Sequence, residues 1–142
     1  MKRFHFNLEK VLKLRQYHEQ EAKNELGRAI SILTTIENNI TQNAIIRSQA
    51  VQQRFAGINT SGAVSMLSWN SYINRLEQEA ERLLEEAARA ELVVEEKRNL
   101  YMEASRELKI MEKLKEKKEK EYRKEMFAAE TRELDDRHKP AL

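Results

Sequence analysis

Between Trp69 and Tyr122 the chain can be stepped through alternately by four and three residues. The positions reached are Trp69, Ile73, Leu76, Ala80, Leu83, Ala87, Ala90, Val94, Lys97, Tyr101, Ala104, Leu108, Met111, Lys115, Lys118 and Tyr122, and only the three lysines are polar. At 40% hydrophobic content, chance would place about 6 apolar residues on such a set. The stretch contains neither Gly nor Pro. It is a heptad seam, with Ile73 on an a position and Trp69 on a d position. A lone helix in water would leave that stripe exposed, so the chain must provide or recruit a helical partner for it.

The remainder of the sequence offers the partner. Charged residues make up 35% of the chain and aromatics 6%, with three Gly and one Pro in 142 residues. This composition buries a seam rather than a thick core and marks a long-helix protein. A first helix is predicted over about 7–56, with Asn7 as N-cap and a staple between Phe6 and Val11. Its seam reads Leu8, Leu12, Ala22, Leu26, Ala29, Leu33, Ile36 and Ile40, interrupted at Arg15 and Glu19. Beyond Ile40 the apolar residues Ala44, Val51 and Phe55 fit only a shifted register, which predicts a stutter. Gly57-Ile58-Asn59-Thr60-Ser61-Gly62 is the breaker, inside a loop over about 57–65. Ser65 or Ser68 then caps a second helix over about 66–135, followed by a tail at 136–142. The fold class is all-α, a single long antiparallel two-helix coiled-coil hairpin, predicted to be monomeric when free. With the turn near Ser61, Leu8 falls opposite about 114–116, and residues from about 120 onward should protrude without a partner.

Charge is unevenly spread. From Arg75 to Glu96 eight carboxylates face three basic groups, whereas from Lys109 to Glu125 eight basic groups face five carboxylates. The hairpin brings that second run beside Lys2, Arg3, Lys10 and Lys13 of the N-terminus. The basic set Lys2, Arg3, Lys10, Lys13, Lys117, Lys118, Lys120, Arg123 and Lys124 is therefore a candidate docking tip for an acidic surface or ring pore. The alternative is a solvated helix end laced with pairs such as Glu112–Lys115 and Glu116–Lys120. Lys115 and Lys118, standing on the seam, favour docking, because a seam that turns polar stops meeting its own partner.

Catalytic signals do not emerge. Gly27, Gly57 and Gly62 form no phosphate-binding loop, and His5, His18 and His138 have no metal-ligand spacing. There is no Cys, and no apolar run approaches the length of a membrane span. These features predict a non-enzymatic, soluble cytoplasmic protein without cofactor, metal or nucleic-acid partner.

The N-terminal run Phe4-His5-Phe6-Asn7-Leu8-Glu9-Lys10-Val11-Leu12-Lys13-Leu14-Arg15 resembles the opening of the flagellar export protein FliJ family, F-x-F-x-LE-x-VL-x-LR. Chain length, the single central break and the Lys/Glu-rich end are similar as well. The resemblance implies a stalk like the gamma subunit of rotary ATPases, which binds a hexameric export ATPase by its open end. It also implies contact with the cytoplasmic domain of the membrane export gate, escort of export chaperones, and a place at the cytoplasmic face of the inner membrane. The gate-binding stripe it implies is Tyr72, Leu76, Glu79 and Leu83. Tyr72 and Leu76 keep the family's chemistry; Glu79 and Leu83 depart from it. Two alternatives stand beside this reading: the equivalent stalk of a virulence type III secretion system, and a generic coiled-coil chaperone or tether of prefoldin-like type.

Overall fold

The computed structural model describes residues 3–138, apart from the side chains of residues 57–64. The backbone is helical over Glu9–His138 (α1), and no strand occurs among the described residues. Arg15 and Glu107 are 92 residues apart in sequence, yet their side chains meet at 2.7 Å. A straight helix of that length would hold them roughly 140 Å apart. The chain therefore reverses, and Arg54 donates to Asn70 Oδ1 at 3.0 Å near the turn. The result is the predicted all-α helical hairpin, with an outgoing limb (9–56) and a returning limb (65–138). The expected breaker at 57–62 lies outside the described side chains. Ser65 and Ser68 fall inside α1 and do not open a new helix there.

Local chemistry suits the helix. Even Ser31 to Thr41, the poorest helix-forming stretch, stays helical. Thr34, Thr35 and Thr41 donate their hydroxyls to the carbonyls four residues back, at 2.9, 3.1 and 3.1 Å, so their side chains are satisfied without leaving the helix. Ion pairs three or four residues apart, such as Arg28–Glu25 at 2.5 Å and Arg98–Glu95 at 3.1 Å, add about 0.3–0.5 kcal/mol each at exposed sites. The helix begins one residue later than expected. Leu8 O accepts the first helical bond, from Leu12 N at 2.9 Å, so Leu8 rather than Asn7 occupies the capping position.

The chain forms two compact units, Lys23–Asn99 and the pair Met1–Ala22 with Leu100–Leu142. In the unit that carries both termini, Leu12 is buried and Tyr101, Ala104, Leu108 and Met111 are half-buried. Two seam-side ion pairs cross it: Arg15–Glu107 at 2.7 Å and Lys115–Glu9 at 3.0 Å. Lys115 thus still meets the opposite limb, and its partner is Glu9 rather than the expected Glu112. The seam has not parted at that position. Nor does the returning limb stand alone from 120 onward. The segment before α1 runs beside it, with Phe6 buried and the Phe4 ring 5.6 Å from that of Tyr122. Phe6 is thus buried in this strap ahead of the helix and lines a cleft with Leu114 and Tyr122 of the returning limb. Uninterrupted exposure on the returning limb begins only at Ala129.

In the Lys23–Asn99 unit the buried apolar residues are Ala29, Ala50, Ile73, Leu83, Ala87 and Val94. Half are alanines, which allow the limbs to approach closely and keep the core thin. Lys97 on the seam reaches Glu25 across the limbs at 3.7 Å. The expected stutter after Ile40 does not occur. The covered positions of the outgoing limb continue in steps of three and four through Ile36, Ile40, Asn43, Arg47, Ala50 and Arg54, with Val51 half-buried beside them. Of the three residues that suggested the shift, Ala44 and Phe55 are exposed and Val51 is half-buried. A strong apolar seam on one limb and a short connection fix the register, and polar residues are carried into the seam with it.

Gly27 sits on the outer face of α1, and a Cβ built there meets nothing within 4 Å. Gly27→Ala should therefore stabilise the protein by about 0.5–1 kcal/mol through the unfolded chain's lost freedom. A raised midpoint in thermal or urea unfolding checks it; a lowered midpoint would place this face in a contact.

Candidate docking surfaces

The basic set is built on the unit that carries both termini. Arg3, Lys10, Lys13, Lys117, Lys118, Lys120, Arg123 and Lys124 are all exposed, while Lys2 lies outside the described residues. Lys118 pairs with Glu121 at 3.7 Å, and Lys120 with Glu116 at 3.4 Å as the sequence predicts. For Arg3, Lys10, Lys13, Lys117, Arg123 and Lys124 no ion pair forms among the described residues. Fixed cations without local counter-charges keep their attraction for an external anion, whereas paired ones have spent most of it. Beside them the N-terminal strap and the returning limb enclose a cleft lined by Arg3, Phe4, Phe6, Leu114, Lys118 and Tyr122. The strap lies outside the helix and its two aromatics are too few to show a helical period, which is why the heptad pattern does not reveal this cleft. Further along, Phe127 is 72% exposed and Leu134 is exposed as well.

The stripe Tyr72, Leu76, Glu79 and Leu83 belongs to the other unit, and its members differ in accessibility. Tyr72 is exposed; its ring lies 6.1 Å from that of Trp69, with the Arg75 guanidinium 5.9 Å from its centre. Leu76 and Glu79 are half-buried, and Leu83 is a core residue with only 5% of its surface exposed. A groove between the limbs brings Asn43, Ile46, Leu76, Glu79, Arg82 and Leu83 together. Glu79 is bonded to Arg82, which also pairs with Glu86. The hydrogen bond from Arg82 holds the Glu79 carboxyl below the usual carboxylate range, opposed by desolvation and aided by the charge of Arg82. Its helix-stabilising contribution is therefore present at neutral pH and disappears as pH falls through that lowered pKa. Glu79 thus stays anionic on this face, and Tyr72 is the stripe residue most open to a partner.

Among the described residues no cluster of His, Asp and Glu could hold a metal ion, and no helix is long and apolar enough to cross a membrane. Comparison with curated proteins and with solved structures returned no match. Residues 4–138 match the family model described as flagellar FliJ protein. That match takes in both limbs and every candidate docking residue except Lys2 and Arg3, and the chain accordingly belongs to the flagellar FliJ protein family.

Proposed function

We propose that this chain is the central stalk of a flagellar type III export apparatus. In this reading it is a non-catalytic protein at the cytoplasmic face of the inner membrane. It binds the hexameric export ATPase through the basic surface around the termini. It also contacts the cytoplasmic domain of the membrane export gate through the face that carries Tyr72. The observation that carries the reading is the set of exposed cations at Arg3, Lys10, Lys13, Lys117, Arg123 and Lys124 that form no ion pair among the described residues, on a chain that belongs to the FliJ family. Escort of export chaperones is placed on the last turns of the returning limb, where Phe127 and Leu134 expose apolar surface suited to a partner. Mixing the protein with its cognate export ATPase tests the reading directly. Hexamer formation and stimulated hydrolysis are expected, and unchanged assembly and turnover would refute it.

The gate contact has its own test. Tyr72→Ala removes an exposed ring that the seam does not need, so helicity and thermal midpoint should stay within about 0.5 kcal/mol of wild type. Binding to the purified gate domain should weaken by about tenfold or more, the loss typical of an aromatic anchor. Unchanged affinity would remove Tyr72 from the gate-binding face.

A further inference from the structure

Among the described residues, the buried side-chain polar atoms without a partner are Asn43 Oδ1, Arg47 Nε and Arg54 Nε. All three belong to the last turns of the outgoing limb, and all three residues are seam positions. Asn43 is only 6% exposed. Its Nδ2 donates to the Leu76 carbonyl oxygen at 3.1 Å. That acceptor fixes the amide orientation, so it is the oxygen that is left without a donor. Arg54 still donates from Nη1 to Asn70 Oδ1 at 3.0 Å, so only its Nε is unmet. Charged seam residues elsewhere have a carboxylate across the limbs: Arg15 has Glu107, Lys97 has Glu25 and Lys115 has Glu9. No ion pair joins residues 26–56 to residues 65–96 among the described residues. Grooves flank this part of the seam, one lined by Arg47, Val51, Ile73 and Glu77 and the other by Asn43, Ile46, Leu76 and Leu83.

We propose that the seam of residues 43–54 against 69–83 opens locally, and that the open form presents Ile73, Leu76 and Leu83 to the export gate. Opening returns three unsatisfied polar atoms to water and breaks two hydrogen bonds to neutral acceptors, Asn43–Leu76 and Arg54–Asn70, so it costs less here than where oppositely charged seam residues must be separated. It also resolves a geometric conflict. Leu83 belongs to the stripe assigned to gate binding, yet in the closed seam almost none of it is accessible. The opening is a property of the free chain; its use by the gate rests on the gate assignment made above. A partner that binds only the open form has an apparent affinity reduced by the fraction of chains that are open. Closing the seam more tightly must then weaken that partner by the same factor.

The test uses the full chain and two separate variants, Asn43→Leu and Arg47→Leu, each placing an apolar side chain at a seam position. Native-state hydrogen exchange is followed at the amides of 70–83, with those of 87–94 as an internal reference. In the wild type, 70–83 should exchange faster than the reference. Either variant should slow 70–83 by tenfold or more and weaken gate-domain binding by a comparable factor, while the reference hardly moves. Wild-type exchange at 70–83 as slow as at 87–94, or exchange unmoved by both variants, overturns the opening. Slower exchange with undiminished gate binding overturns the presentation of the apolar residues. A wild-type chain that does not bind the gate domain at all overturns the gate assignment, and the exchange rates alone then decide the opening.

Discussion

Leu83→Asp should destabilise the Lys23–Asn99 unit by about 3–5 kcal/mol, combining a lost core leucine with a carboxylate forced into the seam. Leu83 is 5% exposed and stands among the few buried apolar residues of that unit. Nothing else in so thin a core replaces it, and the limbs can relieve the charge only by separating. Against a typical domain stability of about 5–15 kcal/mol, a loss of that size is decisive. Leu92→Asp is the matched control, because Leu92 is 73% exposed on the same limb and should shift stability by no more than about 0.5 kcal/mol. Circular dichroism melts or urea titrations separate the two. Equal shifts would mean that the seam does not face inward at Leu83.

The returning limb was legible because each link of the argument agrees along it. Of its sixteen heptad positions from Trp69 to Tyr122, Lys118 alone is exposed in the structure. Helix propensity, apolar spacing and the absence of breakers all indicate the same face there. The outgoing limb was legible only as far as Ile40. After it the seam turns largely polar and the apolar residues divide: Asn43, Arg47 and Arg54 are covered together with Ala50 and Val51, while Ala44 and Phe55 are exposed. A reading that follows hydrophobicity must then choose the wrong register. What fixes these residues is the partner limb and the short connection, both non-local. The same limit hid the strap. Phe4 and Phe6 lie ahead of the helix and outside its heptad pattern, so the sequence marks them as aromatic but not as cover for Tyr122. Lys115 looked like the end of the seam because a lysine there was judged alone. Glu9, more than a hundred residues away in sequence, turns it into a cross-limb ion pair.

The candidate surfaces divide along the same line. Eight of the nine basic residues are found exposed, Lys118 among them although it stands on the seam, while Lys2 lies outside the described residues. Which cations remain unpaired did not follow from the sequence, because exposed ion pairs depend on rotamers and on neighbours from the other limb. For the gate stripe, spacing alone could not separate Tyr72, which is exposed, from Leu83, which is buried. Three and four residues along a helix share a face, but whether that face is inward is decided by the opposite limb.

Reversing Lys117, Arg123 and Lys124 to Glu should reduce stimulation of the export ATPase by about tenfold to ten-thousandfold while leaving the fold intact. These three are exposed and have no ion-pair partner among the described residues, so their attraction is available to another protein. Each exposed charge contact is worth about 0.2–1 kcal/mol, and reversal converts attraction into repulsion, roughly doubling the change at each site. The helix should not suffer, since surface substitutions of this kind cost about 0.5 kcal/mol or less. Salt provides the independent arm. The screening length falls from ~8 Å at physiological ionic strength to ~3 Å at 1 M, so wild-type stimulation should decline as salt rises. The reversed variant, having already lost the attraction, should show little further salt dependence. Circular dichroism on the same samples keeps folding separate from docking. Stimulation that survives both charge reversal and high salt would show that the ring is held by apolar surface instead. The cleft lined by Phe4 and Tyr122 would then be the place to seek the contact.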